Sequence, residues 1–149
     1  MTTMSDRERE LQERTEKDIA IRQKGFNGYC GAEFEEVSAD RCLVSVELTE
    51  KLMNPMGIAH GGLVATLTDI AAGALARRVD EYMHETVTQK CDIHYVRPGT
   101  GARLRAESRI LRKGKRVCTI GVECFSGDGK LCAEALYDVA YLPKREEQG

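Results

Sequence analysis

A single long apolar helix, flanked on both sides by strand-like segments, most constrains the possible folds of this chain. The segment HGGLVATLTDIAAGALARR spans residues 60–78, and its large aliphatic residues recur every three to four positions on one broad face. Arg77 and Arg78 stand at its end, where the helix macrodipole favours positive charge. The apolar face must be buried, so the rest of the chain has to supply a surface that covers it.

Segments with strand periodicity lie on both sides of this helix. Before it, two candidate strands, 30–37 and 41–48, flank the turn Ser38-Ala39-Asp40 and predict a hairpin. After it, hydrophobicity alternates with a period of two in four segments separated by short turns: 87–96, 102–111, 117–125 and 131–142. This order predicts an α+β fold in which one antiparallel β-sheet wraps around one long central helix.

The first 24 residues differ from the remainder in charge. Residues 1–24 contain six acidic and six basic side chains, and this pattern predicts a solvated, ion-paired helix. The length of 149 residues suits one domain. We therefore divide the chain into an N-terminal charged helix, residues 1–24, and one globular domain, residues 25–149.

The charge balance argues against a nucleic-acid partner, because 22 Lys and Arg stand against 24 Asp and Glu, a net charge of -2. No segment approaches the ~20 consecutive apolar residues of a membrane-spanning helix, and the N-terminus is too charged for a secretory signal. We expect no membrane contact and a cytoplasmic location. The six cysteines contain no CxxC pair, and no His or acidic cluster has metal-ligand spacing. Reduced thiols and no metal site are therefore expected.

The start of the apolar helix is a candidate site for negative charge. The N–H groups of His60-Gly61-Gly62 lack intrahelical partners, and the macrodipole is positive there. The glycines let a ligand approach closely, so the Gly61 N–H could polarise a carbonyl oxygen and stabilise an oxyanion. The glycines could instead serve only a tight turn, and the local sequence slightly favours that simpler interpretation.

Asp69 is the one charged residue of the helix between His60 and Ala76. It lies opposite the apolar face, in a stripe of small residues: Gly62, Ala65, Thr66, Ala72, Gly73 and Ala76. Because small residues allow another element to approach, we expect Asp69 to face a packed interface.

The separation between Gly61 and Asp69 constrains how they could act together. They are eight residues apart, or roughly 12 Å along a helix, too far to serve one carbonyl within one chain. If both belong to one site, a second copy must supply Asp69 across a two-fold axis. That arrangement predicts a homodimer with two shared sites.

The chain resembles the hotdog-fold acyl-CoA thioesterases of the PaaI type. The resemblance rests on this order of elements in a short protein and on the series Asn54, His60-Gly61-Gly62 and Asp69. The resemblance covers roughly residues 28–142 and includes a hydroxyl residue, Thr88, on the strand after the helix. It implies a hotdog fold and an enzyme that hydrolyses a small aryl- or medium-chain acyl-CoA thioester to free acid and CoA. No separate cofactor is expected, because CoA is part of the substrate. The family commonly pairs dimers, which implies a homotetramer.

The resemblance also implies a role for each matching residue. The Gly61 N–H would bind the thioester oxygen, and Asp69 of the partner subunit would act as general base on water or as nucleophile through a mixed anhydride. Asn54 would hold water or the reacting group, Thr88 would orient Asp69 or the water, and His60 would support the loop and the leaving thiol. These three residues also have simpler interpretations as a turn starter, a common strand residue and a helix cap.

Other residues are candidates for contacting the rest of the substrate. The turn RKGKR, residues 112–116, is the densest basic cluster in the chain and would suit the phosphates of CoA, although basic turns are often simply solvated. The substrate-binding candidates are Gly62, Met56, Arg97, Lys113, Lys115 and Arg116.

Two other functions stay open from the sequence. In a hotdog hydratase or dehydratase, a His and an acid act across the dimer on a β-hydroxyacyl thioester, and His60 and Asp69 could form that pair. The two glycines after His60, and Asn54 before it, favour the thioesterase. A non-catalytic acyl-CoA sensor would use the same pocket, although one charge-balanced helix is too little for a helix-turn-helix. Aryl-acetyl, hydroxybenzoyl and medium-chain acyl groups all fit the sequence.

Overall fold

The computed structural model describes residues 3–144. Within that range the helices are α1 (Asp6–Gln23), α2 (Phe26–Cys30) and α3 (Gly61–Arg78), and the strands are β1 (Ala32–Val37), β2 (Arg41–Glu47), β3 (Thr86–Tyr95), β4 (Arg103–Lys113), β5 (Val117–Phe125) and β6 (Leu131–Tyr141). The predicted helix 1–24 and domain 25–149 extend into residues 1–2 and 145–149, which lie outside the described range. The division of the chain at residue 24 stays a prediction.

One antiparallel sheet organises the fold, with its strands in the order β1-β2-β4-β5-β6-β3. The helix α3 connects β2, near one edge, to β3 at the other edge, so the connection crosses the sheet. It contacts all six strands on the way. The predicted α+β hotdog fold, with an antiparallel sheet around one central helix and an additional N-terminal helix, is confirmed.

The apolar face of α3 forms the centre of the core. Its large residues are buried against valine, leucine and isoleucine side chains of the strands, as the helical spacing predicts. The buried residues on that face include Leu63, Val64, Leu67, Ile70 and Leu75. Their burial fixes which side of α3 turns away from the sheet, and therefore where Asp69 lies.

Hydroxyl groups from the sheet also hold α3 in place. Ser108 Oγ donates to the carbonyl of Ala71 at 2.8 Å, Tyr137 OH to that of Ala65 at 3.1 Å, and Tyr141 OH to that of Ala76 at 2.7 Å. Burial raises the pKa of Tyr137 and of Tyr141 above the usual value, so both phenols stay protonated donors. These directional bonds act together with the apolar packing to fix the rotation of α3.

The N-terminal helix docks on the C-terminal end of α3. The Asp18 carboxylate accepts hydrogen bonds from Arg22 Nε at 2.9 Å and from Arg77 Nε at 2.7 Å. Arg14 Nη2 donates to the Arg77 carbonyl at 3.0 Å, and Thr15 is buried. Most of α1 is exposed and carries ion pairs, as predicted, but these contacts also make it one wall of the packed structure.

The first predicted strand begins later than its sequence pattern indicates. Residues Phe26–Cys30 form the short helix α2, which ends at Gly31 with φ 77°, a left-handed conformation that suits glycine. Cys30 therefore lies in α2, and β1 begins at Ala32. Across residues 3–144, no helix is both long and apolar enough to cross a membrane.

Candidate active site

The first turn of α3 leaves one backbone donor uncommitted. His60 is the N-cap, and its Nδ1 accepts a hydrogen bond from the Gly62 N–H at 2.8 Å. The Leu63 N–H donates to the His60 carbonyl at 2.9 Å. Among the described residues, the Gly61 N–H has no acceptor. It therefore lies at the positive end of the helix, ready to donate to a ligand.

Tyr95, at the end of β3, contacts this helix start. Its hydroxyl donates to the Gly61 carbonyl at 3.1 Å, and a Cβ built on Gly61 would lie 3.7 Å from the ring. The side chain is 55% exposed, so one part of the ring borders open space beside Gly61. Sequence reasoning missed Tyr95, because only the pairing of β3 beside β6 brings residue 95 to residue 61.

Asp69 and Thr88 form a hydrogen-bonded pair two turns further along α3. Thr88 Oγ1 donates to Asp69 Oδ1 at 2.5 Å. Asp69 is half-buried and Thr88 is exposed, so the carboxylate is reachable from outside the chain. The hydrogen bond holds Oδ1 and leaves Oδ2 for a water molecule or a substrate.

Asn54 shapes the loop that precedes α3. Its Oδ1 accepts hydrogen bonds from the Met56 N–H at 3.0 Å and the Ile58 N–H at 3.4 Å. Its backbone N–H donates to the Ile58 carbonyl at 2.8 Å. This is the geometry of a turn starter, and it leaves the Met56 side chain projecting into solvent.

The predicted phosphate-binding residues lie at two different ends of the molecule. Arg97 follows β3, at the same end as Tyr95, and its Nη1 donates to the Leu131 carbonyl at 3.2 Å. The Lys113 ammonium lies 4.2 Å from the centre of the Tyr141 ring, whose hydroxyl binds Ala76 near the other end of α3. Lys113, with Lys115 and Arg116 beside it, is thus about 22 Å along the helix from Gly61. One chain does not bring these three residues to the start of α3.

The stripe of small residues divides into two halves. Ala72, Gly73 and Ala76 are buried within the chain. Gly62, Ala65 and Thr66 are exposed or half-buried. The chain itself therefore covers the C-terminal half of the stripe. The N-terminal half, with Asp69 at its end, is the part that a further element could approach.

The strand beside this face, β3, is one of the two edge strands of the sheet. Most of β3 is exposed on both faces, and its accessible side chains include Val87, Cys91 and Tyr95. A ten-residue edge strand with open backbone groups favours pairing with another chain.

Comparison with known proteins assigns the chain to a family. The family model described as the thioesterase superfamily matches residues 56–133, a little more than half of the chain. The matched segment contains His60, Gly61, Asp69 and Thr88.

Individual relatives are named as esterases or thioesterases, and a solved structure shares the fold. A candidate esterase of Saccharolobus solfataricus is 28% identical over 122 residues, covering 82% of this chain and 81% of that protein. The medium/long-chain acyl-CoA thioesterase YigI of Escherichia coli K12 is 26% identical over 125 residues, covering 74% and 81%. The E. coli PaaI protein shares the fold, with a TM-score of 0.79 at 18% identity over 89% of this chain and 96% of that one. The chain therefore belongs to the thioesterase superfamily and is a thioester hydrolase.

Proposed function

We propose that this protein is an acyl-CoA thioesterase that hydrolyses a small aryl- or medium-chain acyl-CoA to free acid and CoA. The observation that carries the proposal is the uncommitted Gly61 N–H on the same helix as an Asp69 carboxylate that Thr88 orients. The names of relatives such as YigI, a medium/long-chain acyl-CoA thioesterase, support CoA as the thiol. The cytoplasmic location and the absence of a metal or a separate cofactor stay predictions from the sequence.

The Gly61 N–H would bind the oxygen of the thioester carbonyl. When the carbonyl carbon is attacked, negative charge develops on that oxygen, and a fixed donor at a helix N-terminus stabilises the charge without reorganisation. Gly62 would not share this task, because its N–H already donates to His60. Its missing side chain instead preserves the His60 cap, since a Cβ there would lie 2.9 Å from His60 Nδ1.

Asp69 would supply the attacking oxygen in one of two ways. As a general base it takes a proton from water, the water oxygen bonds to the carbonyl carbon, and the CoA sulfur leaves and receives a proton. As a nucleophile its own oxygen bonds to that carbon, CoA leaves, and water then hydrolyses the mixed anhydride. In single-turnover hydrolysis in ¹⁸O-labelled water, label in the Asp69 carboxylate would establish the second route, with water attacking the Asp69 carbonyl carbon of the anhydride.

The site would form between two copies of the chain. Gly61 and Asp69 are roughly 12 Å apart along one helix, so one carbonyl cannot contact both within one subunit. β3 borders the accessible half of the small-residue stripe, because Thr88 contacts Asp69 and Tyr95 contacts Gly61. The stripe and the open edge of β3 would together accept a second copy. We propose a homodimer with two shared sites, and a homotetramer formed from two dimers.

The remaining candidate residues take supporting roles in this proposal. His60 and Asn54 would hold the loop and the helix start, and Met56 would border the entrance. Arg97 would meet the phosphates of CoA from the Gly61 end. Lys113, Lys115 and Arg116 would reach the CoA only from the other subunit, because in their own chain they lie at the far end of α3.

The geometry of His60 weighs against a hydratase or dehydratase. Nδ1 accepts a hydrogen bond, so a neutral imidazole carries its proton on Nε2, and neither nitrogen is free to act as a base. A dehydratase would need one of them. Conversion of a 3-hydroxyacyl thioester without release of thiol would contradict this assignment.

Release of free CoA from phenylacetyl-, benzoyl- and hexanoyl-CoA tests the proposal directly. Chromatography is the appropriate readout, because an accessible protein thiol such as that of the exposed Cys91 would react with a thiol dye. Hydrolysis of at least one substrate is expected, and its loss in Asp69→Asn would assign the activity to this site. Binding of acyl-CoA without hydrolysis would instead favour a sensor.

A further inference from the structure

A partly open cavity of about 170 Å³ lies beside Asp69 and is lined by residues of α1, α2, α3, β3 and β6. Besides Asp69, its polar lining comes from Arg22, Asn27, Arg77, Thr86 and Thr88. Because the cavity lies next to the Asp69 carboxylate, the acyl group attached to the thioester carbonyl carbon would enter it. The character of its wall would therefore influence which acyl groups are accepted.

Arg77 gives the cavity its main positive charge. Asp69, Gly73 and Arg77 are four residues apart on one face of α3, and helical side chains lean toward the helix N-terminus. Arg77 consequently reaches back over Gly73, where a Cβ would lie only 3.0 Å from Nη1. The guanidinium fills the space that a side chain at residue 73 would occupy, about 6 Å, or one helical turn, from Asp69.

The guanidinium is fixed from outside the cavity. Arg77 Nε donates to Asp18 at 2.7 Å and Nη1 donates to Thr86 Oγ1 at 3.1 Å, and its side chain is 16% exposed. An arginine has five N–H donors, so donors remain for a ligand. The charge is thus held in a set position by α1 and β3.

Asn27 adds an amide to the same wall. It is half-buried on α2 and lines the cavity, and among residues 3–144 its side chain makes no hydrogen bond to another protein group. Arg22, anchored by Asp18 at 2.9 Å, lies beside it. The cavity lining is therefore rich in N–H donors, and an alkyl chain placed there would bury them without acceptors.

We propose that this cavity receives the distal part of the acyl group and selects acyl chains that carry an acceptor oxygen a few bonds from the thioester. This inference rests on the proposed function, because it places the reacting carbon at Asp69. The preferred substrates would share a hydrogen-bond acceptor on the acyl chain, which is the oxygen of a hydroxyl, keto or carboxylate group. The nearby carboxylates of Asp69, Asp18 and Glu85 partly offset the charge of the two arginines, so a neutral and a charged acceptor must be compared separately.

Three acyl chains of similar length test the selection: glutaryl-CoA with a carboxylate, 5-hydroxypentanoyl-CoA with a neutral acceptor, and hexanoyl-CoA with neither. We expect kcat/KM for at least one oxygen-bearing substrate to exceed that for hexanoyl-CoA at least ~10-fold, the scale at which a site built to hydrogen-bond a group rejects an analogue without it. A higher kcat/KM for glutaryl-CoA than for 5-hydroxypentanoyl-CoA would show that the negative charge is recognised, and the reverse order would show that a neutral acceptor is sufficient.

Two variants connect the preference to the cavity wall. Asn27→Leu replaces the amide by an alkyl group, and Gly73→Ala adds a Cβ that displaces the Arg77 guanidinium while favouring the helix. Each variant is expected to lower the ratio of kcat/KM for the preferred oxygen-bearing substrate to kcat/KM for hexanoyl-CoA at least ~5-fold. Gln12→Leu, on α1 but outside the cavity lining, is the matched control and should leave the ratio unchanged.

Binding of unreactive thioether analogues of the same three substrates, measured by calorimetry, keeps the inference separate from the catalytic claim. Equal or tighter binding of the hexanoyl analogue, or a ratio unaffected by both variants, would overturn the inference. If the thioesters are hydrolysed without that preference, the thioesterase stands and the cavity assignment falls. If the analogues bind in the expected order and none of the thioesters is hydrolysed, the proposed function falls and the cavity assignment stands.

Discussion

Thr88 on β3 donates a hydrogen bond to Asp69 on α3, with 2.5 Å between Oγ1 and Oδ1. The pair joins the central helix to an edge strand of the sheet, so the position of the carboxylate depends on how β3 pairs with β6. A carboxylate held at one oxygen presents the other in a defined direction, as an attacking group or a base requires.

Thr88→Val tests whether this hydrogen bond positions Asp69. The substitution keeps the shape and removes the donor, so we expect kcat to fall ~10-fold with a smaller change in KM. Thr119→Val is the matched control, because it removes a similar hydrogen bond, from Thr119 to Asp138 at 2.9 Å, elsewhere in the sheet. Equal kinetic effects of the two substitutions would contradict the role of Thr88.

Gly61→Pro removes the uncommitted N–H from the first helical position. Proline is well tolerated there, and the preceding His60 has φ -60° and ψ 136°, a conformation compatible with a following proline. Loss of an oxyanion donor is expected to lower kcat about 10²- to 10³-fold while the melting temperature changes little. Gly61→Ala keeps the N–H, and its Cβ would make only ordinary contacts with Tyr95, so it should retain much more activity. Comparable kinetics of the two variants would count against this donor.

A mixture of two inactive variants tests whether the site is shared. If Gly61 and Asp69 of different subunits form one site, a heterodimer of Gly61→Pro and Asp69→Asn contains one intact site and one doubly altered site. Co-refolding equal amounts should then restore roughly one quarter of wild-type activity, since half of the dimers are mixed and each has half of its sites. Failure to regain activity, with mixed dimers verified by mass spectrometry, would mean that each subunit supplies its own site.

The buried tyrosines predict a loss of stability at alkaline pH. Burial raises the pKa of Tyr137 and Tyr141, so the unfolded chain releases these phenolic protons near pH 10 while the folded chain retains them. The free energy of unfolding is unaffected by them below that pH and falls above it, by up to ~1.4 kcal/mol per pH unit for each group. Denaturant titrations at about pH 8 and pH 11 should show a smaller drop for Tyr137→Phe than for wild type, with Tyr29→Phe as the exposed control.

Strong periodicity made most of the fold predictable. The spacing of apolar residues in α3 and the alternation in β4, β5 and β6 gave boundaries within one or two residues of the observed ones. The short helix α2 was not predicted, because five residues contain too little periodicity to distinguish a helical turn from the start of a strand. Gly31, which ends α2, was the one sequence signal of the boundary between this helix and β1.

The candidate site was predictable only where its residues share a local motif. Gly61 and Asp69 stand out in the sequence because one lies at a helix start and the other is a lone charge on an apolar helix. Tyr95 and Asn27 carry no such signal, since their places beside α3 arise from strand pairing and from the docking of α1 and α2. The burial of the C-terminal half of the small-residue stripe has the same long-range origin.

Comparison of Asp69→Asn with wild type is the most direct test of the central claim, that this carboxylate drives thioester hydrolysis. The amide is nearly isosteric and still accepts the Thr88 hydrogen bond, so the fold should be retained. Free CoA released from phenylacetyl-, benzoyl- and hexanoyl-CoA is measured by chromatography for both proteins. We expect at least ~100-fold slower hydrolysis by the variant, the size typical for loss of a catalytic base or nucleophile. Equal rates for the two proteins would contradict the account and remove Asp69 from the mechanism.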